Sequence, residues 1–431
     1  MLKKQQEEQP FQDWESFQEK LGIDLESTAK ETKAIQRKRE ISSAKDLLRL
    51  ILFYATSNWS LRLVGAWALL NGIGYLSDVA ILKRLRNSKK WIGKLVVMIM
   101  QKRITALKRM SGVRLRVVDA TTICIPGSKS TDWRIHLSFD LGNLCLDGLE
   151  ITDKYGGESL ARFEAQNNEI FVADGAYPFV SGMAPILNAG AGLIVRINWR
   201  NVPVRGPDGQ RFEIIPWLKT LSTLSEKLIW MNTPQGWFQF RLIAAPIPPD
   251  KLEEARRRAR LRHQRKQKPL NENTLLAAGF VLLLTNLSAE TWPSRLIVTL
   301  YRMRWQIELY IKRLKSLLEF DHLRAKDPRV VQTYLLAKVL IALMVDGMTN
   351  RVSLQHPDWF DSIECPVNIY RMTALFYDAF RLIIAGSWIS SLKQFFHLMQ
   401  RYLCDSPRSR PQQLAWVRAF IQHISMAGTF P

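Results

Sequence analysis

Three acidic residues that lie far apart in the chain could together support phosphoryl transfer. Asp119 ends the apolar segment RLRVVD, Asp174 closes IFVAD, and Glu308 stands alone among basic residues in YRMRWQIELYIKRLK. Carboxylate oxygens are the ligands that Mg²⁺ and Mn²⁺ prefer. A site of this kind can hold two ions about 4 Å apart, which serve the attacking and the leaving oxygen of an in-line displacement. The sequence therefore contains the donors for an oxygen-only metal site.

The segment around Glu308 has polar residues at helical spacing. Tyr301, Arg304, Glu308 and Lys315 lie at offsets of 0, 3, 7 and 14 residues, which form one narrow stripe on a continuous helix. The apolar residues of the segment fall on the other side: Met303, Ile307, Leu314, Leu317 and Leu318. A simpler interpretation of Glu308 is an ion pair with Arg304 or Lys312, which would stabilise the helix by only about 0.3 kcal/mol.

The strands that must position the two aspartates lie between Gly112 and Asn198. The segments VRLRVVDATTICI, WRIHLSFDLGN and LCLDGLEITD predict three antiparallel strands, and a helix, the strand EIFVAD, a second helix and the strand GLIVRIN follow. This order indicates an α/β ribonuclease H-like core, with the first and fourth strands adjacent. Asp119 and Asp174 would then lie side by side, where like charges repel unless a divalent cation joins them.

Each acid also has an ordinary structural interpretation. Taken singly, Asp119 is more often a turn or edge residue, and Asp174 a cap before a glycine turn. The combination with Glu308 and the strand order favours catalysis over these roles. Five further acids lie near the strands or after the motif helix and are expected to be solvated: Asp140, Asp147, Glu150, Asp153 and Asp321.

The charge balance points to a polyanionic partner. The 431 residues carry a net charge of +22, from 61 basic and 39 acidic residues. Such an excess favours nucleic acid or an anionic surface. Residues 79–118 contain twelve Lys or Arg and no acid, and residues 251–268 contain nine Lys or Arg in a predicted exposed helix. Both segments are expected to attract phosphates, although Glu253 and Glu254 could pair within the second one.

Two predicted helices lead into the first basic segment, and the second of them contains its first basic residues. The first covers Leu61 to Leu70, a break follows at residues 71–74, and Ser77 with Asp78 begins the second. This outline fits a DNA-binding helix-turn-helix, but two packed helices with a basic surface would give the same pattern.

Other protein classes are less favoured. Cys124, Cys145, Cys365 and Cys404 lack metal-site spacing, so buried and reduced thiols are expected. The longest apolar run, LLAKVLIALMV, is short for a membrane span, and the N-terminus shows no signal peptide. We therefore expect a cytoplasmic protein without a membrane partner.

The pattern predicts five regions. A helical DNA-binding region (1–112) is followed by the first part of the ribonuclease H-like core (113–198), a β-rich insertion with the basic helix (199–284), the motif helix of the core (285–325) and a helical region (326–431) that is a candidate for dimerisation. The predicted fold class is thus an α/β ribonuclease H-like core with a β-rich insertion, flanked by all-α regions.

Three motifs resemble those of a known family. VVDATT at Asp119, VADGAY at Asp174 and the pattern Y-x2-R-x3-E-x6-K from Tyr301 to Lys315 are similar to the DDE transposases of bacterial insertion sequences, specifically the insertion-sequence-four family. The third pattern is the specific one, because it fixes four residue types at set spacing. The intervals of 55 and 134 residues between the three acids also fit a β-rich insertion before the glutamate. The likeness extends over most of the chain.

The resemblance implies a mechanism and partners. Asp119, Asp174 and Glu308 would bind Mg²⁺ or Mn²⁺, with two ions expected, while Tyr301, Arg304 and Lys315 would hold phosphates near the cut. The substrates would be transposon ends and target DNA, in a complex with a homodimer that cleaves with water and then joins the 3′ hydroxyl. Some relatives form a hairpin with a flipped base on a Trp, and Phe280 is the candidate for base stacking here.

Two other functions remain open from the residues. One is a catalytically inactive DNA-binding regulator, which would have no need for three acids near phosphates. The other is a ribonuclease H-like nuclease that cuts DNA without strand transfer. Cleavage and joining of labelled element ends would separate the three.

Overall fold

The computed structural model describes residues 13–36, 40–109, 112–200, 202–233, 236–267, 269–355, 367–386, 416–418 and 420–421. These residues fall into two compact units. The helical unit is drawn from 1–110, 122–134 and 309–416, and the sheet unit from 111–121, 135–308 and 417–431. The five-region division of the sequence stays a prediction.

The helices and strands have the following bounds. The helices are α1 (Trp14–Leu21), α2 (Leu25–Glu31), α3 (Ala44–Thr56), α4 (Leu61–Leu70), α5 (Asp78–Asn87), α6 (Lys89–Arg109), α7 (Val180–Asn188), α8 (Ile214–Lys219), α9 (Pro249–Arg265), α10 (Glu272–Ala277), α11 (Ser294–Arg302), α12 (Trp305–Leu318), α13 (Pro328–Gln355) and α14 (Ile369–Ala385). The strands are β1 (Arg114–Ile123), β2 (Trp133–Asp140), β3 (Cys145–Asp153), β4 (Glu169–Ala173), β5 (Gly192–Arg196), β6 (Ser225–Thr233), β7 (Gly236–Pro246) and β8 (Phe280–Thr285).

One eight-stranded mixed sheet organises the sheet unit. Its strand order is β3-β2-β1-β4-β5-β8-β7-β6. β1 pairs with β4 and β4 with β5 in parallel, whereas β5–β8, β8–β7 and β7–β6 are antiparallel pairs. The predicted adjacency of the first and fourth strands is confirmed. The strands of the predicted β-rich insertion extend this same sheet.

The strands at the centre of the sheet are made mostly of apolar and β-branched residues, and these residues are buried. β4 is buried at every position and is rich in the apolar and β-branched residues that suit a covered parallel strand. Val118 of β1, Phe171 of β4 and Leu193 of β5 belong to one buried cluster on a face of the sheet. Met183 of α7 belongs to the same cluster, so this helix covers that face.

The segment predicted as one continuous helix around Glu308 is two helices. α11 ends at Arg302 and α12 begins at Trp305. Between them, the amides of Met303 and Arg304 donate to the carbonyl oxygens of Leu300 and Tyr301, three residues back, at 3.0 Å each. These tighter turns interrupt the helix. The single-helix projection was therefore wrong across this break, and it holds only from Trp305 onward.

The helical unit has α13 at its core. α13 contacts α3, α5, α6 and α14, and its Leu335, Leu340 and Leu343 are fully buried. α13 is the one helix of the described residues that is long and apolar enough to cross a membrane, but 72% of its apolar window is buried inside the protein. A core helix of a soluble protein passes the same test, so this finding is weak evidence for a membrane span.

The predicted pair of helices before the basic segment is confirmed. Ser60 and Ser77 accept hydrogen bonds from Leu63 and Ala80, which caps the first turns of α4 and α5. At Gly65 a Cβ would lie 2.6 Å from the carbonyl oxygen of Leu76, so only glycine lets the connecting turn approach α4 this closely. Whether the pair binds DNA stays a prediction.

The end of α12 is fixed inside the helical unit. Lys338 of α13 is buried, and its ammonium group donates to the carbonyl oxygens of Leu318 and Glu319, the latter at 2.8 Å. Cations stabilise the negative end of a helix, where backbone carbonyls lack intrahelical partners. The last turn of the motif helix is thus held by a lysine that sequence analysis did not identify.

Candidate active site

Asp119 lies in β1, and Asp174 directly follows the adjacent strand β4. The β1–β4 register pairs Arg114 with Glu169 and continues to Val117 and Val172, an offset of 55 residues (172 − 117). Asp119 and Asp174 have the same offset (174 − 119 = 55), so continuing the register by two residues sets them opposite each other. Neighbouring strands are about 4.8 Å apart. The predicted side-by-side placement therefore follows from the pairing of the strands.

The surroundings of Asp119 disfavour a negative charge on its side chain. Its side chain is 18% exposed, and burial raises its pKa to about 6. A hydrogen bond from the Ala120 amide to Oδ1 (2.8 Å) and the Arg304 guanidinium act to lower the pKa, while Asp174 and Glu308 act to raise it. These effects place Asp174 and Glu308 each within electrostatic range of Asp119. Such a perturbed group at a sheet edge is typical of functional sites.

Asp174 is held by the turn that follows β4. Its Oδ1 accepts a hydrogen bond from the Ala176 amide at 2.8 Å, and its carbonyl oxygen accepts one from Tyr177 at 3.3 Å. This local bonding, which is common for aspartate in turns, fixes the side chain at the carboxyl end of the strand. Both the capping interpretation and the site interpretation of Asp174 are therefore compatible with the structure.

Arg304 connects two of the acids. Its Nη1 lies 3.5 Å from Asp119 Oδ2, and its Nη2 donates to Glu308 Oε1. The side chain of Glu308 is 52% exposed in the first turn of α12. The helical ion pair that was the simpler interpretation of Glu308 is thus present. The same guanidinium also contacts Asp119, which links the motif segment to the sheet.

Tyr301 completes this group from the last turn of α11. Burial raises the pKa of its hydroxyl, while the positive charges of Arg196 and Arg304 act to lower it. The Arg304 guanidinium lies 6.0 Å from the centre of the Tyr301 ring. Tyr301 and Arg304 therefore lie together beside Asp119 and Asp174, although the helix break separates them.

Arg196 is a basic site residue that sequence analysis missed. It is the exposed last residue of β5, and it lies near Tyr301 at the edge where β1, β4 and β5 have their carboxyl ends. The signal was available, because GLIVR is a buried strand that ends in a charge next to the strand of Asp174. In open α/β sheets, ligands bind outside the carboxyl ends of the strands.

The remaining two predicted residues lie farther along the same elements. Lys315 is half-buried in the last turn of α12, seven residues or about two turns after Glu308. Phe280 begins β8 and packs against the core cluster of the sheet unit. Their roles in phosphate binding and base stacking stay predictions.

The register decides which aromatic residues share the edge of the aspartates. β8 runs antiparallel to β5, so Phe280 lies beyond the Arg196–Leu283 pair, on the carboxyl edge. Trp237 is 55% exposed at the opposite end of β7, since Pro246 pairs with Phe280. Of these two aromatic residues, only Phe280 lies at the edge of the candidate site.

The donor set fits a hard divalent cation, although the carboxylates are not gathered around one point. In the described ranges, no three His, Cys, Asp or Glu side chains are arranged to hold an ion. Glu308 is instead paired with Arg304, whose positive charge also faces Asp119. The acids nevertheless supply only oxygen ligands, and burial disfavours the negative charge of Asp119, which a bound cation would stabilise.

Two acids that were expected to be solvated belong to a second, buried group. Asp140 and Asp147 are 1% and 3% exposed and bind the guanidinium groups of Arg114 and Arg116. Glu169 of β4 joins the same two arginines. The prediction was wrong for Asp140 and Asp147 because their partners lie on β1 and are remote in sequence. Asp153, by contrast, is exposed.

Part of the first basic segment is also engaged internally. Arg114 and Arg116 are buried in the group just described, Arg86 pairs with Asp327 at 2.7 Å, and Lys94 pairs with Glu31. Although residues 79–118 contain no acid, several of their Lys and Arg side chains are paired with acids of other elements. Fewer of them are therefore available for phosphates than the sequence indicated. Lys83, Lys89 and Lys90 are exposed.

The second basic segment forms a helix without a buried face. α9 has no buried residue, and its ion pairs join Glu253 and Glu254 to arginines of the same helix. The predicted exposed helix is confirmed, together with the pairing that was its alternative.

One cysteine was assigned wrongly. Cys124 is exposed and Cys145 is buried, and neither forms a disulfide. Cys365 and Cys404 lie outside the described residues. Cys124 follows directly after β1, beyond the last buried position of that strand, and this explains its exposure.

Comparison with known proteins identifies the family of this chain. Residues 111–345 match the model of the transposase DDE domain family. The transposase of insertion sequence element IS421 from Escherichia coli is 38% identical over 334 residues, which cover 75% of this chain and 90% of that protein. The InsL protein of element IS186A from E. coli K12, named as a transposase, has the same identity and coverage, and the transposase of IS231F from Bacillus thuringiensis subsp. israelensis is 24% identical over 75% of this chain and 76% of its own. The matched domain contains the two aligned aspartates, Glu308 and the ribonuclease H-like sheet, and the chain belongs to the DDE transposases of the insertion-sequence-four type.

Proposed function

We propose that this metal-dependent DNA transposase uses Asp119, Asp174 and Glu308 as its metal ligands when it cleaves element ends and joins the freed 3′ ends to target DNA. The proposal extends to Mg²⁺ or Mn²⁺ as the metal, with two ions. The observation that carries it is the shared level of Asp119 and Asp174 on adjacent parallel strands, together with the raised pKa of Asp119. Two carboxylates this close repel each other, and a cation between them would remove the repulsion.

The bound ions would lower the pKa of the attacking oxygen and stabilise the charge of the leaving oxygen. Asp119 and Asp174 would hold them from a rigid edge, since each side chain is fixed by a backbone amide at 2.8 Å. Glu308 would contribute from α12, where its exposure and single helical partner leave it free to turn from Arg304. Preorganised ligands on regular elements position reacting groups better than ligands on loops.

Four residues are the candidates for binding the phosphates. Arg304 can bind a phosphate with two parallel N–H groups once a cation takes over its place between the carboxylates. Arg196 and Lys315 add positive charge, and the Tyr301 hydroxyl can donate to a phosphate oxygen because burial keeps it protonated. Together these groups would fix the scissile phosphate against the two aspartates.

DNA outside the cut would be bound by other surfaces. The exposed lysines of α5 and α6 and the basic helix α9 are the candidates, and each Lys or Arg contact to phosphate would make binding weaker at high salt. Paired element ends would require a homodimer in the DNA complex. We place the protein in the cytoplasm with the bacterial nucleoid, where its substrate is.

The experiment uses labelled DNA that carries the sequences flanking the coding region. Parent protein with Mg²⁺ should release the element end and then yield a joined product with target DNA. Asp174→Ala should bind the same DNA and give neither product, whereas the control Asp153→Ala, which alters an exposed acid at the end of β3, should behave like the parent. Cleavage by Asp174→Ala equal to that of the parent would refute the assignment of the site.

The two alternatives have their own outcomes in this assay. Binding by the parent without any cleavage would identify the inactive regulator, and cleavage without a joined product would identify the nuclease. Membership of the transposase family favours the first function over both.

A further inference from the structure

Five charged residues form a buried ion network at the amino ends of β1 and β4. They are Arg114 and Arg116 of β1, Asp140 of β2, Asp147 of β3 and Glu169 of β4, and each is less than 9% exposed. Arg114 donates to Glu169 (2.6 Å), Asp147 (2.7 Å) and Asp140 (3.1 Å). Arg116 reaches Glu169 at 2.9 Å and Asp147 at 3.0 Å. The network therefore joins four strands through directed contacts.

The apolar parts of β1 and β4 do not define their own register. Beyond the network, β1 continues with Val117 and Val118, and β4 with Phe171, Val172 and Ala173, all fully buried. A parallel pair shifted by two residues keeps the same side chains on the same faces and the same ladder of hydrogen bonds. Hydrophobic burial alone therefore separates the correct pairing from this shifted one only weakly.

The buried charges do separate the two pairings. In the observed register Arg114 stands directly opposite Glu169, and both guanidinium groups share that one carboxylate. Arg116 also donates to the Glu164 carbonyl at 2.6 Å and lies 4.7 Å from the centre of the Phe171 ring. A shift of either strand would leave a buried charge without its partners, which is far costlier than an apolar mismatch.

The network lies too far away to touch the site. Asp119 is five residues from Arg114, or about 16 Å along the strand. Since five is an odd number, the two side chains also lie on opposite faces of the sheet. The same is true of Glu169 and Asp174. The pairing of β1 with β4 is therefore the one route by which the network can affect the aspartates.

We infer that the ion network of Arg114, Arg116, Asp140, Asp147 and Glu169 sets the register between β1 and β4 and so aligns Asp119 with Asp174. The arginines and acids of the network are positioning residues, with no contact to substrate. A role in register is the best supported use of buried polar groups that could be replaced by apolar ones. The importance of this alignment for cleavage rests on the proposed function, but the alignment itself does not.

The test measures alignment without catalysis. Asp119→Cys and Asp174→Cys are combined in the full chain, after the four native cysteines are changed to alanine. Paired residues on adjacent strands are about 4.8 Å apart at Cα, within the range of about 4.4 to 6.8 Å that a disulfide needs. This reporter should cross-link rapidly under mild oxidation. A reporter that fails to cross-link would overturn the inferred alignment at once.

Glu169→Gln in the reporter should slow cross-linking strongly, because it removes the carboxylate that both arginines share. Glu150→Gln is the matched control, since Glu150 is a half-exposed acid of β3 that pairs with Arg162 outside the network. In the native-site protein Glu169→Gln should reduce cleavage by about 10²-fold, the scale expected for a 1 Å misplacement. If Asp174→Ala cleaves normally, the proposed function fails while the cross-linking result still stands.

A second variant separates register from stability. Arg114→Met, Arg116→Met, Asp140→Asn, Asp147→Leu and Glu169→Met together remove every charge of the network, and the side-chain oxygen at position 140 can still accept the hydrogen bonds from Asn143. Buried ion groups can often be replaced in this way without loss of stability. The variant should unfold at a temperature close to that of the parent and yet cross-link poorly. A folded variant that cross-links like the parent, or one that fails to fold, would overturn the role in register.

Discussion

The two groups of acids and arginines on β1 and β4 differ in burial and in charge balance. In the ion network, two guanidinium groups serve three carboxylates, and every member is buried. At the candidate site one guanidinium, that of Arg304, serves Asp119 and Glu308, which are 18% and 52% exposed. Buried groups held by several ion pairs specify structure, whereas partly exposed acids with too few cations can bind one. Residue type alone does not distinguish these roles.

The pKa values show the same contrast in another form. The pKa of Asp140 is raised by burial and by its neighbour Asp147, and the network holds three acids against two arginines. Burial raises the pKa of Asp119 to about 6, which is still below neutral pH, so this group can lose its proton and accept a metal ion. We call the buried ion network the closed site, because solvent does not reach its acids, and the candidate active site the open site, because a ligand can reach its acids.

The largest expected effect is at the open site. Asp174→Asn should lower the rate of end cleavage by about 10⁴-fold, the scale for loss of a catalytic carboxylate. Its free energy of unfolding should stay unchanged or rise, because a like charge next to Asp119 is removed. Cleavage assays with denaturant unfolding test both parts. A variant that loses stability in proportion to activity would place Asp174 with the structural group.

The matching change in the network should have the reverse profile. Arg114→Met leaves Asp140, Asp147 and Glu169 with a single arginine, so the free energy of unfolding should fall by about 3 to 5 kcal/mol. Denaturant titration measures this loss. The folded fraction should still bind element DNA, since Arg114 is buried and away from the site. A loss below about 1 kcal/mol would show that the network behaves like an exposed ion pair.

The sequence predicted the site better than the network, for a physical reason. Asp119 and Asp174 end apolar segments of the sequence, and the predicted strand order made them neighbours, in agreement with the pairing of β1 and β4 up to Val117 and Val172. Asp140 and Asp147 were predicted to be solvated because their arginine partners come from another strand. Local sequence shows strand ends and periodicity, but it does not show which buried charges meet across a sheet.

The break between α11 and α12 illustrates a second limit. The spacing of Tyr301, Arg304 and Glu308 predicted one helix, and apolar periodicity continues through the break, since Met303 and Ile307 are both fully buried. No glycine or proline marks the interruption. At the turn, the amides of Met303 and Arg304 donate to carbonyl oxygens three residues back instead of four. The pattern of side chains along the sequence does not reveal this difference. Arg196 was missed for lack of a motif around it.

Arg304 offers a smaller test of what distinguishes the open site. Arg304→Met removes the one guanidinium that faces Asp119 and Glu308, and with it a proposed phosphate contact. Cleavage should fall by about 10²-fold, the scale for loss of one charge-stabilising group. Arg304→Lys should retain part of the activity, because it keeps the charge but not the planar pair of donors. Equal rates for Arg304→Met and the parent would show that the guanidinium only neutralises acids in the metal-free protein.

The pH dependence of stability gives the last and smallest test, in metal-free protein with a chelator present. Burial raises the pKa of Asp119 from 3.8 to about 6, so between these values the folded protein holds a proton that the unfolded chain has released. The free energy of unfolding should therefore fall as pH rises from 3.8 to 6, by at most about 3 kcal/mol. Asp119→Asn lacks this proton, and its stability should fall less over the same window in matched denaturant titrations. Added Mg²⁺ should restore stability to the parent above pH 6 and not to the variant. Equal slopes for the two proteins would mean that the charge of Asp119 is already satisfied by Arg304, and that the open site resembles the closed one more than its exposure indicates.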